Sequence, residues 1–237
     1  MAVEPQSDYV LLQGLRETRG AIDRISAAPG PVLGGWFAGA FGVAAGLLAA
    51  TWLVASLSTP DPTPIWVPGV DGSVVAGDLT GILGANLLVL ALHATACVAG
   101  FIAGNSMPIA AAQMTGFKRF VHVKAGLLAI WWVIAVTTFS LIAQAYGLGM
   151  LGSTLAAQFD LSPFALIVTV LPHALVELTA IFLPLAAWLI ASRRGEWGDL
   201  LAATFVTVAI ALPMLMAAAL IELFVWPDLL RAFSPVL

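Results

Sequence analysis

Residues 200–226 read LLAATFVTVAIALPMLMAAALIELFVW, a run whose single ionisable side chain is Glu222. A helix rises 1.5 Å per residue, so about 20 apolar residues cross the ~30 Å hydrocarbon core of a bilayer, where a helix satisfies its own backbone polar groups. This run has that length and that composition. Four others resemble it, at roughly 34–58, 81–104, 125–148 and 163–191. The whole chain of 237 residues is 61% hydrophobic and only 9% charged, against about 25% charged in a soluble domain. Too few charges exist to coat a globule in water. The fold expected is therefore all-α, a polytopic membrane bundle of about five transmembrane helices, with residues 1–33 as a cytoplasmic N-terminal segment and 34–237 as a single transmembrane domain.

Residues 1–33 carry Val10, Leu11, Leu15, Ile22 and Ile25 at near-helical spacing, with Arg16, Arg19, Asp23 and Arg24 among them. Two readings fit, an amphipathic helix at the membrane surface and a solvated leader. Pro29-Gly30-Pro31 is expected to end it. A cleaved signal peptide is not expected, because the first apolar run begins only near Gly34, behind this charged segment. Gly34, Gly35, Gly39, Gly42 and Gly46 in the first span have the spacing that lets another helix approach closely. Between spans, 59–80 is rich in Pro and Gly and has Asp61, Asp71 and Asp78 but no Lys or Arg. Asn105–Lys124 and Ser192–Asp199 are the basic connectors.

Lys and Arg are retained on the cytoplasmic side of bacterial membrane proteins. Arg16, Arg19, Arg24, Lys118, Arg119, Lys124, Arg193 and Arg194 share one side under a five-span topology, and only Arg231 lies opposite. The N-terminus is thus expected inside and the C-terminus outside a multi-pass plasma-membrane protein, with 59–80 and the Asp160 connector facing outward. Trp36, Trp66, Trp197 and Trp226, near span ends, fit an interfacial belt, while Trp131 and Trp132 are expected to face lipid or a neighbouring helix. The lone Cys97, inside an apolar run, reads as a buried packing residue. A net charge of −4 without a basic stripe argues against a nucleic-acid partner.

Ionisable residues inside spans cost at least ~2.5–3.5 kcal/mol on insertion scales, so they face the bundle interior and find partners. There are four, His93, His173, Glu177 and Glu222. His173 and Glu177 lie four apart, on one face of the fourth helix. Counting ~1.5 Å per residue from the outer span ends puts His93, His173 and Glu177 about 15–21 Å deep, in one layer. The same count puts Glu222 and Asn86 about 6–8 Å deep, with Gln144 and Tyr146 alongside, as a second, outer polar layer. On that count Glu222 is too distant from Glu177 for a carboxylate pair. The deeper trio can be read as a proton relay, an ion site or a metal site, or as a hydrogen-bonded brace between helices with Glu177 protonated or paired. His-x-x-x-Glu falls short of the zinc protease pattern. Pro172, Pro184 and Pro213 sit within spans, where a proline kinks the helix for packing or for gating. No phosphate loop, nucleophile elbow or kinase signature is present. No catalytic, cofactor-binding or metal-ligating residue is therefore assigned.

Leu171-Pro172-His173-Ala174-Leu175-Val176-Glu177 resembles the Pro-His-Gly-x-x-Glu signature of the stage II sporulation protein M family of bacterial membrane proteins. Tyr146-Gly147-Leu148-Gly149-Met150-Leu151-Gly152 resembles that family's Asn-Gly-x-x-x-Gly segment. Ile221-Glu222-Leu223-Phe224-Val225-Trp226-Pro227 resembles its Ile-Glu-x-Phe-x-x-Pro, and Asn86-Leu87 its Asn-Leu near a helix start. The similarity covers roughly 80–230, with Ala174 in place of the signature Gly and Tyr146 in place of Asn. The resemblance implies a non-enzymatic membrane component that scaffolds or positions partner proteins, as in a sporulation or peptidoglycan-remodelling complex whose partners supply the hydrolysis. Some relatives accompany ATPase subunits, so the alternative is the permease subunit of an ABC-type exporter driven by a separate cytoplasmic ATPase. The expected partners are membrane lipid, other membrane or envelope proteins and, for the exporter, that ATPase and a second copy in a homodimer. An intramembrane enzyme built on His173 and Glu177 is the remaining reading, and the least favoured.

Overall fold

The structure, a computed structural model, describes residues 6–237, with side chains from Arg16 onward apart from those of His122 and Val123. Among these residues the regular structure is helical: α1 (Gln6–Ala27), α2 (Pro29–Leu57), α3 (Ala76–Phe101), α4 (Met107–Ala112), α5 (Gly116–Gln158), α6 (Pro163–Arg194), α7 (Leu200–Phe224) and α8 (Trp226–Phe233). Five stretches are long and apolar enough to cross a membrane: Pro29–Leu57, Ala76–Ala112, Gly116–Gln158, Pro163–Arg194 and Trp197–Phe224.

Several boundaries differ from those expected. The N-terminal segment ends where expected, at the break between Ala27 and Pro29, but Pro29 and Pro31 also begin α2, ahead of the expected start at 34, because a proline in the first helical turn lacks an N–H that would be unpaired anyway. The connector placed at Asn105–Lys124 is mostly helix. A π turn at Ile102–Ser106 carries α3 into α4, and α5 already starts at Gly116, whose φ of +61° suits glycine. At its other end α5 continues to Gln158, past the expected end at 148. There Leu161 N–H donates to Ala156 O at 2.8 Å, a Schellman closure, with Asp160 in the left-handed region at φ +50°. Ser162 Oγ then accepts the Ala165 N–H at 3.1 Å, capping α6 ahead of Pro163. The hairpin after α6 closes the same way, with Gly195 at φ +72° and Glu196 N–H on Ala191 O at 2.9 Å.

Contacts gather the chain into two compact units, and each of the five candidate spans gives a segment to both. The first unit (Met1–Gly39, Ala91–Val136, Leu183–Ala209) contains eight of the nine Lys and Arg residues and is called here the basic unit. In it α1 turns Ala21 and Ile25 inward and leaves Ile22 exposed, while Val10, Leu11 and Leu15 fall outside the described side chains. Two polar contacts fasten α1: Asn105 Nδ2 donates to Glu17 Oε2 at 2.5 Å, and Arg24 pairs with Asp199 at 2.5 Å. The π turn brings Gly104 against Trp197, where a Cβ would lie 2.3 Å from the indole. Gly39 packs on Ala186 and Gly35 on Ile190, whereas Gly34 faces open space. Cys97 is fully buried, and its thiol donates to Pro184 O at 3.0 Å.

The second unit (Ala40–Leu90, Thr137–Phe182, Ile210–Leu237) holds seven of the thirteen acidic residues and a single basic one, Arg231, and is called the acidic unit. Its core joins Val67, Leu155, Ala156, Phe159, Leu166, Trp226 and Leu230. The Pro-rich segment between α2 and α3 is fastened to that core. Gln158 grips the Ile65 backbone on both sides, accepting its N–H at 2.8 Å and donating to its carbonyl at 2.9 Å. Thr154 Oγ1 accepts Asp61 N–H, Ser153 Oγ donates to Ser58 O, and Arg231 donates to Gly69 O. Thr63 hydrogen-bonds the Asp61 carboxylate, which holds that group below the ordinary carboxylate value. Gly69, at φ +78°, leaves no room for a Cβ beside Pro227. Gly42 and Gly46 of α2 meet nothing, so the glycine stripe of the first span is used only at some positions.

Candidate functional site

The acidic unit contains a cavity of about 200 Å³ whose polar lining consists of Thr51 of α2, His173 and Glu177 of α6, Glu222 of α7 and Trp226 of α8. Each wall follows from local sequence. His173 and Glu177 are one helical turn apart and so share a face. Gly149 lets α5 lie directly on α2, since a Cβ there would come within 2.5 Å of Val54 and 3.0 Å of the Thr51 carbonyl. A bulkier residue would push apart the two helices beside Thr51. Trp226 turns inward as α8 departs from α7, donating its indole N–H to Thr169 Oγ1 at 3.2 Å and meeting the His173 ring edge-on at 5.7 Å between centroids.

Glu177 and Glu222 line this one cavity and interact electrostatically, contrary to the separation expected from depth counting. That count assumed that helix ends lie level. Because α5 runs ten residues beyond its expected end, its hairpin to α6 starts about 15 Å further along, and Glu177 moves correspondingly toward Glu222. Asn86, assigned to the outer layer with Glu222, has its side chain against Glu177. His173 and Glu177 of the deeper layer and Glu222 and Asn86 of the outer one thus come together.

The other expected site residues lie elsewhere. His93 belongs to the basic unit, fully buried on α3. Gln144 hydrogen-bonds Ser140 on its own helix, at 3.1 Å to Oγ and 3.3 Å to the carbonyl, and does not line the cavity. Tyr146 is exposed. Of the kink candidates, Pro172 and Pro213 are exposed on their helices and Pro184 is fully buried in the basic unit. Trp36 and Trp226, expected in an interfacial belt, are buried, while Trp66, Trp131 and Trp132 are exposed.

Three buried polar atoms of this unit make no hydrogen bond of normal geometry: Thr51 Oγ1, His173 Nδ1 and Asn86 Nδ2. Buried polar groups are otherwise paired in folded proteins, and an unpaired one costs about 1–3 kcal/mol. No family model, curated protein or solved structure matches the chain. What the site can do is therefore read from its chemistry. Two carboxylates in an apolar enclosure are mutually unfavourable when both are ionised, so the arrangement favours an arriving proton or cation. Among the described residues no group of three or more His, Cys, Asp or Glu side chains is gathered as metal ligands.

Sequence reasoning missed Thr51 and Trp226. Thr51 carried a signal, as the one hydroxyl, amide or charged side chain in the apolar run from Val32 to Ala55. Trp226 did not, because a tryptophan at a span end suits a lipid belt equally well.

Proposed function

We propose that the chain is a multi-pass plasma-membrane protein, N-terminus inside and C-terminus outside, which positions partner proteins without catalysing a reaction itself. In this it would act like the membrane subunit of a peptidoglycan-remodelling complex of the stage II sporulation protein M type. One observation supports this reading above others. The segment between α2 and α3, outward-facing under this topology, is bound at Ile65 by Gln158 and at Gly69 by Arg231, so Trp66 and Val75 are presented exposed on a fixed backbone. A rigid apolar display is suited to docking, because little ordering entropy remains to be lost on binding.

Photocrosslinkers at Trp66 and Val75, used in native membranes, test it. Recovery of cell-envelope proteins is the expected result, and the absence of any crosslinked protein would defeat the reading. Tags at the two ends should report opposite compartments; the same compartment for both would overturn the topology.

A second reading, the permease subunit of an ABC-type exporter, is favoured by α4 and the exposed Lys118 and Arg119 beside it, a short helix and basic surface that suit docking of a cytoplasmic ATPase. Crosslinking from residues 107–119 discriminates the two, since capture of an ATPase there would replace the scaffold reading.

A further inference from the structure

The groups around the acidic-unit cavity are mostly acceptors. Ionised Glu177 and Glu222 only accept hydrogen bonds, the Thr51 hydroxyl oxygen accepts as well as donates, and a neutral imidazole offers one acceptor nitrogen. Thr51 and His173, which line the cavity, are 5% and 7% exposed, and each carries a buried polar atom, Oγ1 and Nδ1, without a hydrogen-bond partner. The occupant that satisfies this set is rich in donors and positively charged. No side chain of the unit supplies that charge, because its single Lys or Arg is Arg231, already engaged with Gly69 O and Asp228. The remaining walls are apolar, with Leu48, Leu155, Ile167 and Val170 among them. A hydrated inorganic ion leaves such walls unused, whereas an ammonium group with a hydrocarbon body meets both halves of the lining. The indole of Trp226 adds an aromatic surface that attracts a cation.

Size agrees with this chemistry. The volume of about 200 Å³ exceeds the roughly 150 Å³ cavity that holds benzene and falls below the ~300–1,000 Å³ of pockets for drug-sized ligands. Glu222 and Trp226 also border a second cavity of about 320 Å³, lined by Asp78, Gly77 and Gly81 at the start of α3. Glu222 thus lines both cavities, with Glu177 in the first and Asp78 in the second.

We propose that this cavity is a binding site for a small organic ammonium ion, with its nitrogen held by Glu177 and Glu222 and its hydrocarbon body against the leucine and valine walls. The site is independent of whether the protein is a scaffold or a permease.

Calorimetric titration of the purified protein in detergent with cyclohexylammonium chloride tests the proposal, with cyclohexanol and sodium chloride as comparisons. Saturable binding of the ammonium alone is expected, weakened about ten- to a hundredfold in Glu177→Gln and in Glu222→Gln. Equal binding of cyclohexanol would make the cavity merely apolar, saturable sodium binding without ammonium binding would make it an inorganic ion site, and no binding at all would overturn the proposal outright. Should either variant fail to fold, the unaltered protein still decides. Dicyclohexylcarbodiimide should modify Glu177 or Glu222, and cyclohexylammonium should slow that modification; labelling at an unchanged rate would refute the assignment.

Discussion

The basic and acidic units draw on the same five long helices and handle charge in opposite ways. In the basic unit charged side chains meet complementary groups: Glu17 with Asn105, Arg24 with Asp199 and Arg194 with Glu196. In the acidic unit two carboxylates, Glu177 and Glu222, line one cavity beside a histidine and a threonine whose buried polar atoms lack partners. What distinguishes the acidic unit is a pair of carboxylates beside a cavity, since buried polar atoms without partners also occur in the basic unit, at Trp188 Nε1 and Ser192 Oγ. Paired charges near solvent are cheap to hold, whereas two like charges around one cavity lower stability unless an occupant completes them.

The largest effect expected from breaking this contrast is at Gly149. Replacing it with Leu forces a side chain into Val54 and the Thr51 carbonyl, and about 3 kcal/mol of stability should be lost, read as a lower midpoint of thermal unfolding in detergent. Next comes Glu222→Leu. If the two carboxylates are held against their mutual repulsion, removing one should leave stability unchanged or raise it by about 1–3 kcal/mol. A clear drop in the same unfolding measurement would instead make Glu222 a brace. Trp226→Phe keeps one aromatic ring but loses the pyrrole half of the indole and its hydrogen bond to Thr169, and about 1–2 kcal/mol is expected to go with them.

In the basic unit Asp199→Asn should cost less than about 1 kcal/mol, because the Arg24 side chain is 64% exposed and solvent screens the pair. High salt should erase that difference from the parent protein. The smallest effect is at Asp61. Its carboxyl is held below the ordinary value by Thr63, so its contribution is present above that value and disappears as pH falls through the depressed one. Acid unfolding curves of the parent protein and Asp61→Asn should therefore converge at low pH and separate only above it.

How much could be read in advance differs from residue to residue. His173 and Glu177 were legible as site residues because helical periodicity places them on one face whatever surrounds them. Glu222 was recognised as an intramembrane carboxylate but set apart from Glu177, since its depth was counted from a helix end whose level depends on the length of α5. Asn105 was read as part of a loop, yet it sits in a π turn that aims it at Glu17. A hydrogen-bond register shift of this kind leaves no mark in composition. The Pro-rich segment was recognised as a break between spans, while its attachment to Gln158 required the partner from another helix.

By itself the sequence determined that the chain forms five long apolar helices, because hydrocarbon cannot hydrogen-bond the backbone and local composition alone marks where a helix must supply those bonds. It also determined where the basic residues cluster, eight of the nine in residues 1–33 and the connectors 105–124 and 192–199. Only the tertiary structure decided which polar side chains share a cavity. Helix length, the close approach permitted at Gly149 and the inward turn at Trp226 act through contacts between segments distant in the chain, and no local pattern encodes the sum of the three.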